Sequence, residues 1–219
     1  MRIAIVGGTG KEGRALALRW ARAGEDVIVG SRMVERAGET ADTINAAAGR
    51  VAATGLTNRE AAAAGDVVIL TVPYDSQADI LREIRDGVQG KVVVTAVVPI
   101  DGKQPRRLRD VPGDSATEEA QALLGPGVRV VAAFQNVSHT KLAGNGAGCD
   151  VLICGDDPDA RRTVAALVER LGFRPVDAGP ARNARVVEGL TVLLLHINRE
   201  YKSTGAGIRV TGLSETDRH

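Results

Sequence analysis

The sequence has no excess of charge of either sign: 28 Lys and Arg stand against 27 Asp and Glu, a formal net charge of +1. No global field therefore draws the chain toward nucleic acid or an anionic membrane, and binding through a basic patch is set aside. Cysteine is scarce. Cys149 and Cys154 flank the apolar run "DVLI", and with only three histidines scattered along the chain they lack the partners of a tetrahedral zinc site. They read as buried free thiols in a reducing compartment, without a metal or disulfide role. Long apolar runs are missing as well: "LTVLLLHI" falls far short of the roughly 20 residues that a membrane span requires. Met1-Arg2 leads straight into a short apolar strand and a glycine turn, which is not the pattern of a signal peptide. These absences predict a soluble, cytoplasmic protein that binds neither nucleic acid nor membrane. Internal repeats and low-complexity tracts are also lacking, and 219 residues suit one large domain, or one domain plus a small appendage.

What is present is an alternation. "RIAIV", "DVIVG", "DVVILTV", "KVVVTAVV", "VRVVAAF", "DVLIC" and "RPVDA" read as strands, each near-continuously apolar as expected where both sheet faces are covered. Ala- and Arg-rich stretches of helical periodicity separate them. The pattern predicts an α/β fold with a doubly wound, mostly parallel Rossmann-type sheet. Ser115 with Glu118 has capping-box spacing, Asp157-Pro158 supplies an N-cap and first-turn proline, and Gly24, Gly65 and Gly172 are placed to cap helix C-termini. "PIDGKQPRRLRDVPGD", residues 99–114, has no apolar period and reads as a surface loop or flap beside the site. After "VDAGPARN" the alternation stops, and "ARVVEGLTVLLLHINREYKS" reads as one long, largely buried helix with a basic tail. The division predicted is a nucleotide-binding domain over 1–180 and a small C-terminal unit over 181–219.

Gly8, Gly10 and Gly13 form G-x-G-x-x-G directly after a strand and at the start of a helix. Gly8 would permit the tight turn, Gly10 would let the backbone approach a pyrophosphate, and Gly13 would let the helix pack close to the strand. The helix N-terminus, with Lys11 and Glu12 between the glycines, then offers free N–H groups and a positive dipole end to the phosphates. An NAD-preferring site carries Asp or Glu at the end of the second strand, to bind the ribose hydroxyls. Here that neighbourhood is Gly30-Ser31-Arg32, with Arg36 four residues on. Two arginines at i and i+4 repel unless an anion lies between them, and a 2'-phosphate suits guanidinium groups. The alternative is a solvated helix face on which Glu35 and Glu39 pair with them locally. The cofactor predicted is NADP.

Two later strand ends face the same crevice in this reading: Thr71-Val72-Pro73, followed by Asp75 and Gln77, and Val97-Val98-Pro99. Val72, Pro73, Gln77, Val98 and Pro99 are counted as cofactor contacts, the backbone there serving the nicotinamide carboxamide. No Ser/His/Asp arrangement, metal cluster or catalytic pair of carboxylates is found. Asp156 and Asp157 read as a turn and an N-cap, and His139 and His196 are candidate general acids at most. Direct hydride transfer between two stacked rings fits this poverty, since it requires chiefly alignment, with reacting carbons about 3–3.5 Å apart.

"MRIAIVGGTGKEGRALALRWARAGEDVIVGSR", "VVILTVP", "VVPID", "VLICGDDPDA", "VDAGPARNARVVEGLT" and "GAGIRVTGL" together resemble the NADP oxidoreductases that depend on the deazaflavin coenzyme F420. The similarity runs in order over nearly the whole chain. It implies a compact homodimer that moves a hydride between NADPH and F420, the deazaflavin being a co-substrate. It implies NADP contacts at Thr9, Ser31, Arg32 and Arg36. The deazaflavin pocket would comprise Val98, Pro99, the segment containing Gln135, Asn136 and Val137, and the C-terminal unit with Thr191 and Gly207. Here that segment is Phe134-Gln135-Asn136-Val137-Ser138, where some relatives have a histidine and a proline. Arg185, Arg199, Lys202 and Arg209 supply cations for an anionic coenzyme tail, or else form a solvated face. Rival readings are an NADPH-dependent reductase of a flavin or small imine or carbonyl compound, and a non-catalytic NADP(H) sensor.

Overall fold

Strands β1 (Arg2–Val6), β2 (Asp26–Ser31), β3 (Ala53–Thr57), β4 (Val67–Leu70), β5 (Val92–Thr95), β6 (Arg129–Ala132), β7 (Asp150–Gly155) and β8 (Arg174–Asp177) form one sheet, in the order β3-β2-β1-β4-β5-β6-β7-β8. The structure, a computed structural model, describes residues 1–101, 107–144 and 148–213. Helices α1 (Lys11–Arg22), α2 (Val34–Ala48), α3 (Asn58–Ala64), α4 (Gln77–Ile84), α5 (Ala116–Leu124), α6 (His139–Ala143), α7 (Pro158–Arg170) and α8 (Ala184–Glu200) connect and follow them. Alternation along β1 divides its run between two cores. Ile3 and Ile5 pack with Leu16, Trp20 and Val164 of α1 and α7, while Ala4 and Val6 pack with Ala61, Leu81 and Ala120 of α3, α4 and α5. Both faces are covered, which is why the strands have no polar side.

Neighbouring strands are parallel except β6 and β7, which pair antiparallel over Val131↔Gly155 and Ala132↔Cys154. The uniformly repeated pattern gave no sign of that reversal. Its local cause is the β6–β7 connection, whose helix α6 has five residues and is too short to serve as a crossover helix. β3 was not read from the sequence either, because "ATGLT" has little apolar content. It is an edge strand that Asn45 of α2 holds from the side, through the Ala52 and Ala53 amides and the Ala53 carbonyl.

Helix ends follow the sequence closely. Ser115 accepts from the Glu118 amide and Asp157 from the Ala160 amide. Gly24 and Gly172 adopt left-handed φ of +94° and +75° just past α1 and α7. Gly65 does not: its backbone is extended, and glycine is needed because a Cβ would lie 2.5 Å from that of Ala4. The flanks of the 99–114 segment pinch together through an Ile100↔Leu108 bridge and the Arg109 amide on the Pro99 carbonyl, and residues 102–106 lie outside the described ones. The expectation of a largely buried last helix fails. Only Ala184, Val187, Glu188 and Leu194 of α8 are buried, while Val186, Leu193 and Tyr201 just past it are 67%, 59% and 77% exposed. Apolar composition alone does not say whether the partner surface belongs to the same chain.

Candidate active site

The turn from β1 into α1 is built on exclusion. Gly7, not Gly8, carries the left-handed φ of +76°, so the tight-turn role moves one residue earlier. Gly8 is required for lack of room: a Cβ there would stand 2.8 Å from the Ile5 carbonyl oxygen, and its N–H donates to Ile5 and Gly30 carbonyls. At Gly13 a Cβ would come within 2.7 Å of Gly8 Cα and 2.8 Å of Thr71 Oγ1, which is the close helix approach read from the motif. Gly10 differs. It is exposed and extended, and a Cβ would meet only the Gly7 carbonyl oxygen, at 3.4 Å. No side chain caps α1 at Gly10, so the amides of Lys11, Glu12 and Gly13 lack intrahelical acceptors at the positive end of the helix. Thr9 is half-buried beside them. A phosphate-bearing ligand fits this cradle; a side chain at position 10 would fill it.

One support of the turn was not legible in the sequence. Asn58, 2% exposed at the start of α3, accepts the Gly7 N–H on its Oδ1 at 3.1 Å. A capping box, Thr57 with Glu60, fixes that helix start. Its T-x-x-E spacing was the available signal for α3, but nothing local tied Asn58 to Gly7.

At the end of β2, Ser31 is buried and accepts the Met33 amide on Oγ. Arg32 is not on the helix, as the i, i+4 reasoning assumed: Met33 is the extended N-cap of α2, so Arg32 precedes the helix and Arg36 lies in its first turn. The charge problem persists in another form. Two cations flank the positive end of α2, which disfavours them. Both are exposed, and among the described residues neither forms an ion pair, Glu35 and Glu39 included.

β1, β4, β5 and β6 are adjacent, so the segments after them share one rim, with the topological switch point between β2-β1 and β4. Val72 and Val98 are half-buried there, Pro73 exposed and Pro99 buried. Gln77 turns inward. Its Nε2 donates to the Ala116 carbonyl and Glu119, and its buried Oε1 has no partner. Beyond β6, Phe134 adopts φ +76°, a strained value for a bulky residue, with its ring edge-on to Trp20 at 5.9 Å. This turn presents Gln135, whose Nε2 donates to the Thr95 carbonyl and whose buried Oε1 is unpartnered. Asn136 instead donates to the Asp150 carbonyl, and Val137 lies in the core.

The C-terminal segment containing α8 is packed against this rim. Thr191 Oγ1 donates to the Gln135 carbonyl at 2.7 Å. One turn earlier, Glu188 is buried and accepts from the Ala116 and Thr117 amides and Thr117 Oγ1, capping α5. Burial raises its pKa to about 7 although these donors pull it down. Gly207 packs over Cys149, leaving no room for a Cβ. Alongside it, the Asp150 carboxylate pairs with Arg174 and accepts the Val210 amide.

Comparison with known proteins bears on this arrangement. The family model described as "NADP oxidoreductase coenzyme F420-dependent" matches residues 2–99. An F420-dependent NADP reductase of Methanothermobacter thermautotrophicus is 42% identical, over 99% of this chain and 97% of its own. The chain belongs to the family of F420-dependent NADP reductases. A member from Methanocaldococcus jannaschii is 40% identical, over 97% of this chain and 99% of its own. A solved Arthrobacter sp. FB24 structure, 24% identical, shares the fold with a TM-score of 0.83, over 96% of this chain and 99% of its own. In this member of the family, the "DAGPARN" segment is connective. Asp177 accepts the Gly179 amide and pairs with Arg161, Asn183 donates to the Ala178 carbonyl, and Asp156 accepts the Ala181 amide. His139 and His196 are both exposed. Arg185 pairs with Asp114 at 3.4 Å. Among the described residues no helix is long and apolar enough to cross a membrane, and no group of His, Cys, Asp or Glu could hold a metal.

Proposed function

We propose that the protein is an enzyme that transfers a hydride directly between NADP(H) and coenzyme F420, with no covalent intermediate. The nicotinamide and the deazaflavin supply the donor and acceptor carbons, and the protein aligns them. The uncapped start of α1 above an exposed Gly10 carries the reading: it is a phosphate cradle whose other glycines are dictated by packing. Gly8, Thr9, Gly10, Lys11, Glu12 and Gly13 hold the pyrophosphate side. Ser31, Arg32 and Arg36 receive the 2'-phosphate, supported by two cations that have no ion-pair partner among the described residues. Val72, Pro73, Val98 and Pro99 line the nicotinamide, with Gln77 behind them. Gln135 offers its free Oε1 to the deazaflavin, while Asn136, Val137, Thr191 and Gly207 set the pocket wall from the unit beginning at Ala181.

The same reading makes the protein a homodimer, joined through α8. Val186, Leu190, Leu193, Ile197 and Tyr201 recur at helical spacing and include four of the exposed large apolar side chains. The free, buried Cys149 and Cys154 suit a reducing cytoplasm. The test is anaerobic mixing with NADPH and oxidised F420, with riboflavin phosphate as a parallel acceptor. Bleaching of the deazaflavin alone is the predicted result. Saturable NADPH binding without bleaching would reject F420 as the acceptor.

A further inference from the structure

Glu12 is the one carboxyl inside the clamp, and its setting is not that of an ordinary helix-start glutamate. It occupies the second position of α1, between Gly10 and Gly13. At i, i+4 and i+8 it stands in a row with Leu16 and Trp20, both fully buried, and Trp20 packs edge-on against Phe134. Helical side chains lean toward the N-terminus, so the carboxyl is carried to the end of α1 where the dinucleotide phosphates are received. The residue as a whole is half-buried, but its Oε1 is shielded from water and has no hydrogen-bond partner. A buried carboxylate oxygen left unpaired is costly unless the group is neutral or a ligand completes it.

We infer that Glu12 is a neutral carboxylic acid in the NADP(H) complex, and that its O–H, not a carboxylate, is a working part of the clamp. The inference rests on the clamp reading above. A pyrophosphate brings negative charge to the same helix end, so an ionised Glu12 would be repelled within a desolvated site. Protonation removes the repulsion and supplies a donor for a ligand oxygen.

The free protein is already biased this way. Burial raises the Glu12 pKa to about 8, although the α1 dipole would favour the anion. Burial is the one cause of that shift. Neither Lys11 and Arg14 on α1 itself nor the charged groups on elements packed against it, namely His139 and Lys141 on α6, Glu35, Arg36, Glu39 and Asp42 on α2, Asp26 on β2 and Arg2 on β1, offset it. Below about pH 8 the acid is protonated before the ligand arrives, and binding moves no proton. Above it, binding must take up a proton, and affinity falls with rising pH.

The test is calorimetric titration of the whole protein with NADPH, in two buffers of different ionisation heat, at about pH 7 and about pH 9. Both lie above the range where a phosphate monoester titrates, near pH 6. The expected result is almost no proton uptake at the lower pH and close to one proton at the higher, with Kd rising toward tenfold per pH unit above about 8. In Glu12→Gln, which keeps shape and loses the titration, the uptake and the pH dependence should both vanish. Saturable wild-type binding with no uptake at either pH would overturn the inference and leave the clamp standing. Uptake that persists in Glu12→Gln would assign the proton to another group and overturn it too. If NADPH does not bind at all, the clamp reading falls, and this inference with it.

Discussion

Gly10 and Gly13 should separate under the same substitution. A methyl at Gly13 would lie 2.7 Å from Gly8 Cα and 2.8 Å from Thr71 Oγ1. Gly8 belongs to a backbone turn fixed by two hydrogen bonds from its own amide, so α1 must move instead. Overpacking of this kind costs about 1–3 kcal/mol, and the helix propensity gained over glycine returns up to about 1 kcal/mol. A net loss of about 1–2 kcal/mol lowers Tm by roughly 2–8 °C for a chain of this size. At Gly10 the backbone is extended, and a methyl would meet one carbonyl oxygen, at 3.4 Å. The poorer N-cap costs about 0.5 kcal/mol and the stiffer unfolded chain returns a similar amount, so Tm should hardly change. In the proposed reading the same methyl occupies the space of the pyrophosphate. Gly10→Ala should therefore weaken NADPH by tenfold or more, on the order of 1.4 kcal/mol, in a protein as stable as wild type. Differential scanning fluorimetry and fluorescence titration read the two quantities. The reasoning is refuted if Gly10→Ala lowers Tm as far as Gly13→Ala does while leaving the NADPH Kd unchanged.

Replacing Arg32 and Arg36 together by Ala should weaken NADPH roughly 30- to 100-fold and NADH by less than about threefold, most clearly at low salt; equal weakening of both would sink the 2'-phosphate assignment. Asn58→Ala leaves the Gly7 N–H without its acceptor, at about 1–3 kcal/mol, and should raise the KM for NADPH while sparing that for F420; a change confined to F420 would contradict it. Burial pushes the Asp150 carboxyl up, but Arg174 and the Val210 amide together hold it below the usual range. Its stabilising effect is thus present above the unfolded value of about 3.9 and is lost as pH falls through the lower folded value. The Tm gap between wild type and Asp150→Asn should shrink on acidification, and a constant gap would refute that. The proposed α8 seam predicts a dimeric wild type and a monomeric Leu193→Asp in light scattering, and a monomeric wild type would remove the seam.

Much of the fold was readable because burial on both faces writes continuous apolar runs, as in "RIAIV" and "DVVIL". Where an edge is free or a neighbouring backbone leaves no room for side chains, the writing fades. β3 reads "ATGLT" because a side chain at Gly55 would overlap the α2 backbone at Ala37 and Gly38. α8 failed in the opposite way: "LTVLLLHI" is interrupted only at Thr191 and His196, and apolar side chains on both the covered and the uncovered sides of the helix hide the boundary between them. In the site, spacing located the clamp glycines but gave the tight turn to Gly8, whereas the left-handed φ falls on the adjacent Gly7 and Gly8 is fixed by contact. Asn58 lies 51 residues from Gly7, beyond the reach of any local pattern. The reversal at β6–β7 hid for a related reason: alternation shows that strands and helices take turns along the chain, not which way a strand runs beside its neighbour.

The most direct test of hydride transfer between the two coenzymes is an isotope-tracing experiment with NADPH that carries deuterium at the transferable position of the nicotinamide. Reduced F420 isolated after one turnover in ordinary water should retain the label on carbon at nearly full occupancy. Label lost to solvent would mean that hydrogen passes through an exchangeable group, and would contradict direct transfer.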